Sequence, residues 1–257
     1  MSKLQIHQFP CLGDNYGVLV HDDASGMTAS IDAPDGQAVL DALKETSWKL
    51  THILVTHHHA DHTQGIGELI SAYGDCKVIG PTETMSKVPS IQLGVGDGDE
   101  IMFAGQSVQV IATPGHTLDM INFYFPEQGV VFTGDTLFAM GCGRVFEGDP
   151  AMMWASLEKL MKLPADTAIY CGHEYTLANA NFAMSVDGDN PALQARVEEV
   201  KALREKGEPT LPTNMQLELD TNPFLRAADA GIRKNLGMEN ASDGEVFAEI
   251  RGRKDNF

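Results

Sequence analysis

Down to about residue 175, apolar runs alternate with polar turns, and most of the runs are short enough to read as strands. Residues 17–20 and 28–31 form two such runs, joined across Ser25-Gly26 as a predicted hairpin. Further strands are predicted at 50–55, 77–79, 108–112, 130–132 and 168–170, while residues 38–44 and 67–73 carry helical spacing. Four of these strands stop at a turn that presents a histidine or an aspartate. The run 50–55 leads into Thr56-His57, and 108–112 into Thr113-Pro114-Gly115-His116. The run 130–132 leads into Thr133-Gly134-Asp135, and 168–170 into Cys171-Gly172-His173. Side chains on loops at the edge of a rigid sheet are what a pre-organised site requires.

After His173 the pattern changes to helices. Asn190 as N-cap, Pro191 in the first turn, Leu193, Val197, Val200 and Leu203 on one face and Gly207 at the end define one helix. Residues 226–236, closed by Gly237, predict another. Ser242-Asp243-Gly244-Glu245 is a capping box that opens the last helix, which runs through Val246, Phe247 and Ile250. No strand pattern follows His173, so the expected organisation is an α/β domain over 1–174 and an all-α domain over 175–257.

The densest chemistry is the segment Thr56-His57-His58-His59-Ala60-Asp61-His62, an H-x-H-x-D-H pattern. His57 and His59 are two apart, so on an extended backbone their side chains point the same way and can chelate one ion. Asp61 and His62 follow at the turn into a helix and diverge from the first pair, which suggests a second, neighbouring ion. A helix cap would need one such residue, not four. Together with the residues at the other strand ends, the assignment is His57, His59 and His116 on one metal and Asp61, His62 and His173 on the other. Asp135 bridges the two, one oxygen to each, and His58, facing away, either supports the ligands from behind or is structural. Imidazole and carboxylate donors suit zinc, iron or manganese.

Composition narrows the class. A hydrophobic content of 43% over 257 residues is enough for a sizeable core. No apolar stretch is long enough to span a bilayer and no apolar signal core precedes the first polar turn, so a cytoplasmic protein with no membrane partner is expected. Cys11, Cys76, Cys142 and Cys171 have no C-x-x-C spacing, which argues for reduced thiols. A formal charge of -18 leaves nucleic acid no basic surface to bind. An anionic substrate would then need a local basic cluster. Arg251 and Lys254, three apart on the last helix, supply one and can clamp a carboxylate together.

The order H-x-H-x-D-H, His, Asp, His resembles the metallo-β-lactamase fold superfamily. Several further stretches resemble the glyoxalase II family, the hydroxyacylglutathione hydrolases. They are Asp14-Asn15-Tyr16, Thr113-Pro114-Gly115-His116-Thr117, 132–138, Gly141-Cys142-Gly143-Arg144, 172–176, Asn222-Pro223-Phe224 and 251–255. The resemblance implies a four-layer αββα sandwich over 1–174 with two divalent metal ions, zinc first and iron or manganese as alternatives. It implies a helical substrate-binding domain over 175–257. Arg144, Tyr175, Arg251 and Lys254 would contact the glutathione part of the substrate, with His173 and Phe146 beside them. Phe146 stands where some members have tyrosine, so a hydroxyl contact is missing there.

What the resemblance implies for chemistry is hydrolysis of a glutathione thioester, S-D-lactoylglutathione, to D-lactate and glutathione in methylglyoxal detoxification, by a monomer. Two cations would activate a water that Asp61 orients, and a thiolate leaves without a dedicated general acid. Three other readings use parts of the same pattern. A lactonase would not need the basic last helix, and a persulfide dioxygenase would dispense with Asp61, His62 and His173 as ligands. A non-catalytic metal module would close its coordination sphere.

Overall fold

The computed structural model describes residues 3–257. The chain divides into two compact units, one made of the residues up to Ala112 together with Asp119–Gly134, the other of Thr113–Leu118 together with Asp135–Phe257.

The first unit holds a six-stranded sheet whose strands follow the order of the chain: β1 (Gln5–Cys11), β2 (Asn15–Asp22), β3 (Met27–Ile31), β4 (His52–Leu54), β5 (Lys77–Pro81) and β6 (Leu93–Val95). β1, β2 and β3 are antiparallel, and β3 to β6 are parallel. Parallel neighbours need crossovers, supplied here by α1 (Gly36–Thr46) between β3 and β4, and by α2 (Ala60–Thr63) and α3 (Ile66–Ala72) between β4 and β5. A parallel strand covered on both faces has no polar side, which is why Ile53, Leu54 and Val55 form an unbroken apolar run and are all fully buried. Asp35 caps α1 by accepting from Ala38 N at 3.1 Å, and Val39, Ala42 and Leu43 bury its inner face. The same unit contains an antiparallel meander of β7 (Glu100–Phe103), β8 (Gln106–Ala112), β9 (Ile121–Phe125) and β10 (Val130–Gly134).

The second unit opens with a short hairpin, β11 (Leu137–Phe138) and β12 (Gly141–Cys142), followed by α4 (Pro150–Leu160). β13 (Ala168–Cys171) pairs antiparallel with β14 (Thr213–Asn214). The rest is helical: α5 (Thr176–Asp187), α6 (Pro191–Glu205), α7 (Met215–Thr221), α8 (Ala230–Leu236) and α9 (Asp243–Asp255). α6 starts where the sequence places it, with Asn190 accepting from Ala192 N and Leu193 N. Leu193, Val197 and Val200 then pack with Met140, Ala180 and Ala183. The capping box of α9 is formed, with Ser242 N donating to Glu245 Oε2 at 2.8 Å.

Two details differ from the sequence reading. The region after His173 is not wholly α, because Thr213–Asn214 forms β14. Two residues are too few to show a period-two pattern, and Asn214 then caps α7 by accepting from Leu217 N. The helix expected over 226–236 begins at Ala230, since Asp229 caps it through Gly231 N and Ile232 N. Among the described residues, no helix is long and apolar enough to cross a membrane.

Candidate metal centre

In the first unit the H-x-H-x-D-H segment leaves the end of β4 and enters α2. Its anchor is Asp32, just past β3, a buried residue held at a positive φ of 57°. Asp32 N donates to Leu54 O at 2.9 Å, which extends the ladder by one rung and aims the carboxylate at the loop after β4. Asp32 Oδ1 accepts from Thr56 N at 2.6 Å. Its Oδ2 accepts from Thr56 Oγ1 at 2.8 Å and from His62 Nδ1 at 2.7 Å.

These bonds assign the ring protons. The Thr56 hydroxyl has one hydrogen and gives it to Asp32, so its oxygen accepts from His57 Nδ1 at 3.0 Å. His57 and His62 therefore both carry hydrogen on Nδ1, and Nε2 of each keeps its lone pair. His57 Nε2 faces His59 Nδ1 at 3.1 Å. Asn15 Nδ2 holds Asp61 from two directions, at 3.2 Å from Oδ2 and 3.1 Å from the carbonyl oxygen. Asp61 Oδ2 lies 3.8 Å from His62 Nε2.

The second unit repeats the logic. His116 Nδ1 donates to Arg144 O at 2.9 Å, so His116 Nε2 keeps its lone pair and lies 3.4 Å from Asp135 Oδ2. His173 Nε2 lies 3.3 Å from the same oxygen. The sequence reading gives each ion one oxygen of Asp135, whereas here one oxygen, Oδ2, faces both histidines. A side chain at Gly143 would run into Asp135 O and His116 Nδ1, so only glycine lets this turn pass so close to the two donors.

Donor separations provide a test of fit. Two ligands about 2.05 Å from one tetrahedral ion stand roughly 3.3 Å apart. The separations of 3.1, 3.4 and 3.3 Å match that edge, and hydrogen bonding at Nδ1 to a carboxylate, hydroxyl or carbonyl is the usual support of a metal-bound imidazole. The donor set therefore fits a divalent metal.

The residues implied for the substrate also lie in the second unit. Tyr175 stacks on His173 with ring centroids 4.7 Å apart and planes 3° from parallel, and Phe146, 62% exposed, has its ring 5.3 Å from His116. Arg251 and Lys254 do not form a symmetric clamp. Arg251 is buried, with Nη1 donating to Cys142 O at 3.0 Å and Nη2 2.7 Å from Asp255. Lys254 is partly buried, its Nζ 3.2 Å from Ala178 O and above the rings of Phe182 and Phe257. Burial, and then the charges of Arg251 and Arg144, hold the Lys254 ammonium below its ordinary range. Arg144 is the exposed member, with Nε 4.0 Å from Asp255. A basic cluster thus exists in an acidic chain, and Asp255 is its internal counter-ion.

Asp32 and Asp255 are partners that sequence reasoning did not single out. The one signal for Asp32 is an acid directly after the apolar run at 28–31. Cys142, beside this cluster, is buried, and burial pushes its thiol up to about 11, so it is no nucleophile at neutral pH.

Residues 23–173 match the family model described as the metallo-β-lactamase superfamily, and residues 174–257 match that of the hydroxyacylglutathione hydrolase C-terminus. A curated hydroxyacylglutathione hydrolase from Rhizobium meliloti (strain 1021) is 56% identical over 257 residues, all of this chain and all of that one. The chain belongs to the hydroxyacylglutathione hydrolases. Its fold is accordingly the α/β sandwich of the superfamily with a helical C-terminal region. ETHE1 from Myxococcus xanthus superposes with a TM-score of 0.68 at 28% identity, over 96% of this chain and 90% of that one. TTHA1623, solved in a di-iron-bound form, gives 0.59 at 26% identity, over 84% of this chain and all of the other.

Proposed function

We propose that this hydroxyacylglutathione hydrolase cleaves S-D-lactoylglutathione to D-lactate and glutathione, the step that completes methylglyoxal detoxification. It does so with two divalent ions held by His57, His59, Asp61, His62, His116, Asp135 and His173. The observation that carries the reading is the proton assignment: His57, His62 and His116 each spend Nδ1 on a protein acceptor and keep Nε2 for a metal. His57, His59 and His116 take one ion, Asp61, His62 and His173 the other, and Asp135 both.

Two such ions supply an acidified water and positive charge for polarising a carbonyl at neutral pH. The chain does the rest. Asp61, fixed by Asn15, orients the attacking water over the thioester carbonyl. The leaving group is a thiol of pKa about 8.5, which departs as the thiolate, so no protein acid is required. Lys254 and Arg144 attract the glutathione carboxylates, while Arg251 holds the Cys142 carbonyl and so the turn from which Arg144 projects. Tyr175 and Phe146 provide flat surfaces beside His173 and His116. Residues 1–174 form the catalytic domain and 175–257 the substrate-binding domain of a cytoplasmic monomer whose partner is this small thioester. Zinc is the first expectation for both ions, with iron or manganese as substitutes.

Competition between substrates tests the assignment. At equal concentrations of S-D-lactoylglutathione, an acyl-homoserine lactone and a β-lactam, the purified protein is expected to consume the thioester with a kcat/KM at least 100-fold above the others. Preference for the lactone would move the chain's activity to lactone hydrolysis.

A further inference from the structure

The middle histidine of the triple run is not used by the metal assignment, yet it is tethered to a distant part of the chain. His58 Nδ1 lies 2.8 Å and 3.0 Å from the two oxygens of Asp119, a residue only 3% exposed that sits just before β9. The Thr84 hydroxyl donates to the same carboxylate. Two backbone bonds tie the neighbourhood further: Ile121 N donates to Thr56 O at 3.0 Å, and His62 N to His59 O at 3.0 Å. Lys87 Nζ lies 3.2 Å from His58 Nε2. Asp119 accepts the Nδ1 hydrogen, so that nitrogen has no lone pair to offer a metal.

We infer that Asp119 is a positioning residue that acts through His58 to set the directions of His57 and His59. The inference rests on the reading that those two histidines are metal ligands. His58 is joined directly to both residues, and its ring centroid stands 5.1 Å from that of His59, so holding the middle ring limits the directions its two neighbours can take. The tether has a second effect. Three adjacent imidazoles offer an ion three ways to be held by two, and a ring turned toward Asp119 is drawn out of that competition. The buried Asp119 carries this role. Lys87 is exposed, and a contact made at the surface contributes little.

Cobalt(II) titration of the chelator-stripped full-length protein, followed by visible absorption, tests the inference without recourse to activity. The wild type is expected to take up two ions per chain. Asp119→Ala is expected to weaken one of the two steps by roughly 10- to 100-fold, the usual effect of removing a residue that orients a ligand, and to change that step's absorption bands. The other step is unchanged, Asp119→Asn, which keeps an acceptor for Nδ1, recovers most of the loss, and Lys87→Ala behaves as wild type. His58→Gln, which removes the tethered ring, is expected to show the same selective loss and serves if Asp119→Ala does not fold. A merely structural role would lower the unfolding temperature of the metal-free protein and leave both cobalt steps untouched, which overturns the inference. A wild type that binds no cobalt overturns the metal reading, and this inference with it.

Discussion

His62 Nδ1 donates to Asp32 Oδ2 across 2.7 Å, and that bond leaves Nε2 as the ring nitrogen available to a metal. The same carboxylate takes the amide and the hydroxyl of Thr56, so a single side chain at the end of β3 orients two of the histidines on the loop after β4. Asp32→Ala is therefore expected to lose metal affinity by roughly 10- to 100-fold. It should also destabilise the metal-free protein by about 1–3 kcal/mol, because a buried amide and hydroxyl lose their acceptor. Chelator competition and chemical denaturation of the stripped protein measure the two effects separately.

Lys254 and Arg251 should separate kinetically. Lys254→Ala is expected to raise KM roughly tenfold with little change in kcat, as for the loss of a contact made equally in ground and transition states. Arg251→Ala should raise KM and also lower the unfolding temperature, because the buried guanidinium holds Cys142 O and Asp255. Equal behaviour of the two variants in both assays would contradict this division.

Glu218 gives stability a pH dependence. Its carboxyl is fully buried, accepting from Met140 N at 2.8 Å, Thr213 Oγ1 at 2.6 Å and Asn222 Nδ2 at 3.0 Å. Burial raises its pKa above the ordinary carboxylate range, against the lowering effect of those bonds. A carboxyl with a raised folded pKa binds more protons folded than unfolded. Its contribution is then complete below the unfolded pKa of about 4.5 and is lost as pH rises through the folded value, by at most about 1.4 kcal/mol per pH unit. Glu218→Gln, which can satisfy the same partners, should gain stability relative to wild type as pH rises above about 4.5. Denaturation at several pH values reads the difference directly, and a constant difference would refute it.

All four cysteines are buried and unpaired. Burial raises Cys11 to about 12 and Cys76 and Cys142 to about 11, and raises Cys171 as well. Native protein at pH 8 should therefore react with an aromatic disulfide reagent only at the rate of unfolding, while protein in denaturant should release four thiols at once. Rapid labelling of the native protein would show that one of these sites opens locally.

The parts of this molecule that were legible in the sequence are those where cause and effect lie close together. The ligand loop was visible because four donors crowd into 57–62, and α6 and α9 because their caps are local side chains followed by periodic apolar positions. α5 is not foreseen because its buried face includes the polar Thr176, Asn179 and Asp187 while Leu177 and Ala178 are exposed, so apolar residues do not mark the helical period. Asp32 and Asp119 act on residues far away in the chain, and an aspartate in a polar turn looks the same whether or not it holds a histidine. The pairing of Arg251 with Lys254 was readable from spacing alone, but the burial of one and the partial exposure of the other depends on Cys142 and Ala178, which come from other elements.

The most direct test of the central claim is steady-state hydrolysis of S-D-lactoylglutathione by the purified protein, followed by loss of thioester absorbance before chelation, after chelation and after zinc is restored. Rapid turnover that disappears with the chelator and returns with zinc is the predicted result. Absence of turnover in protein shown to carry its full complement of metal would contradict it.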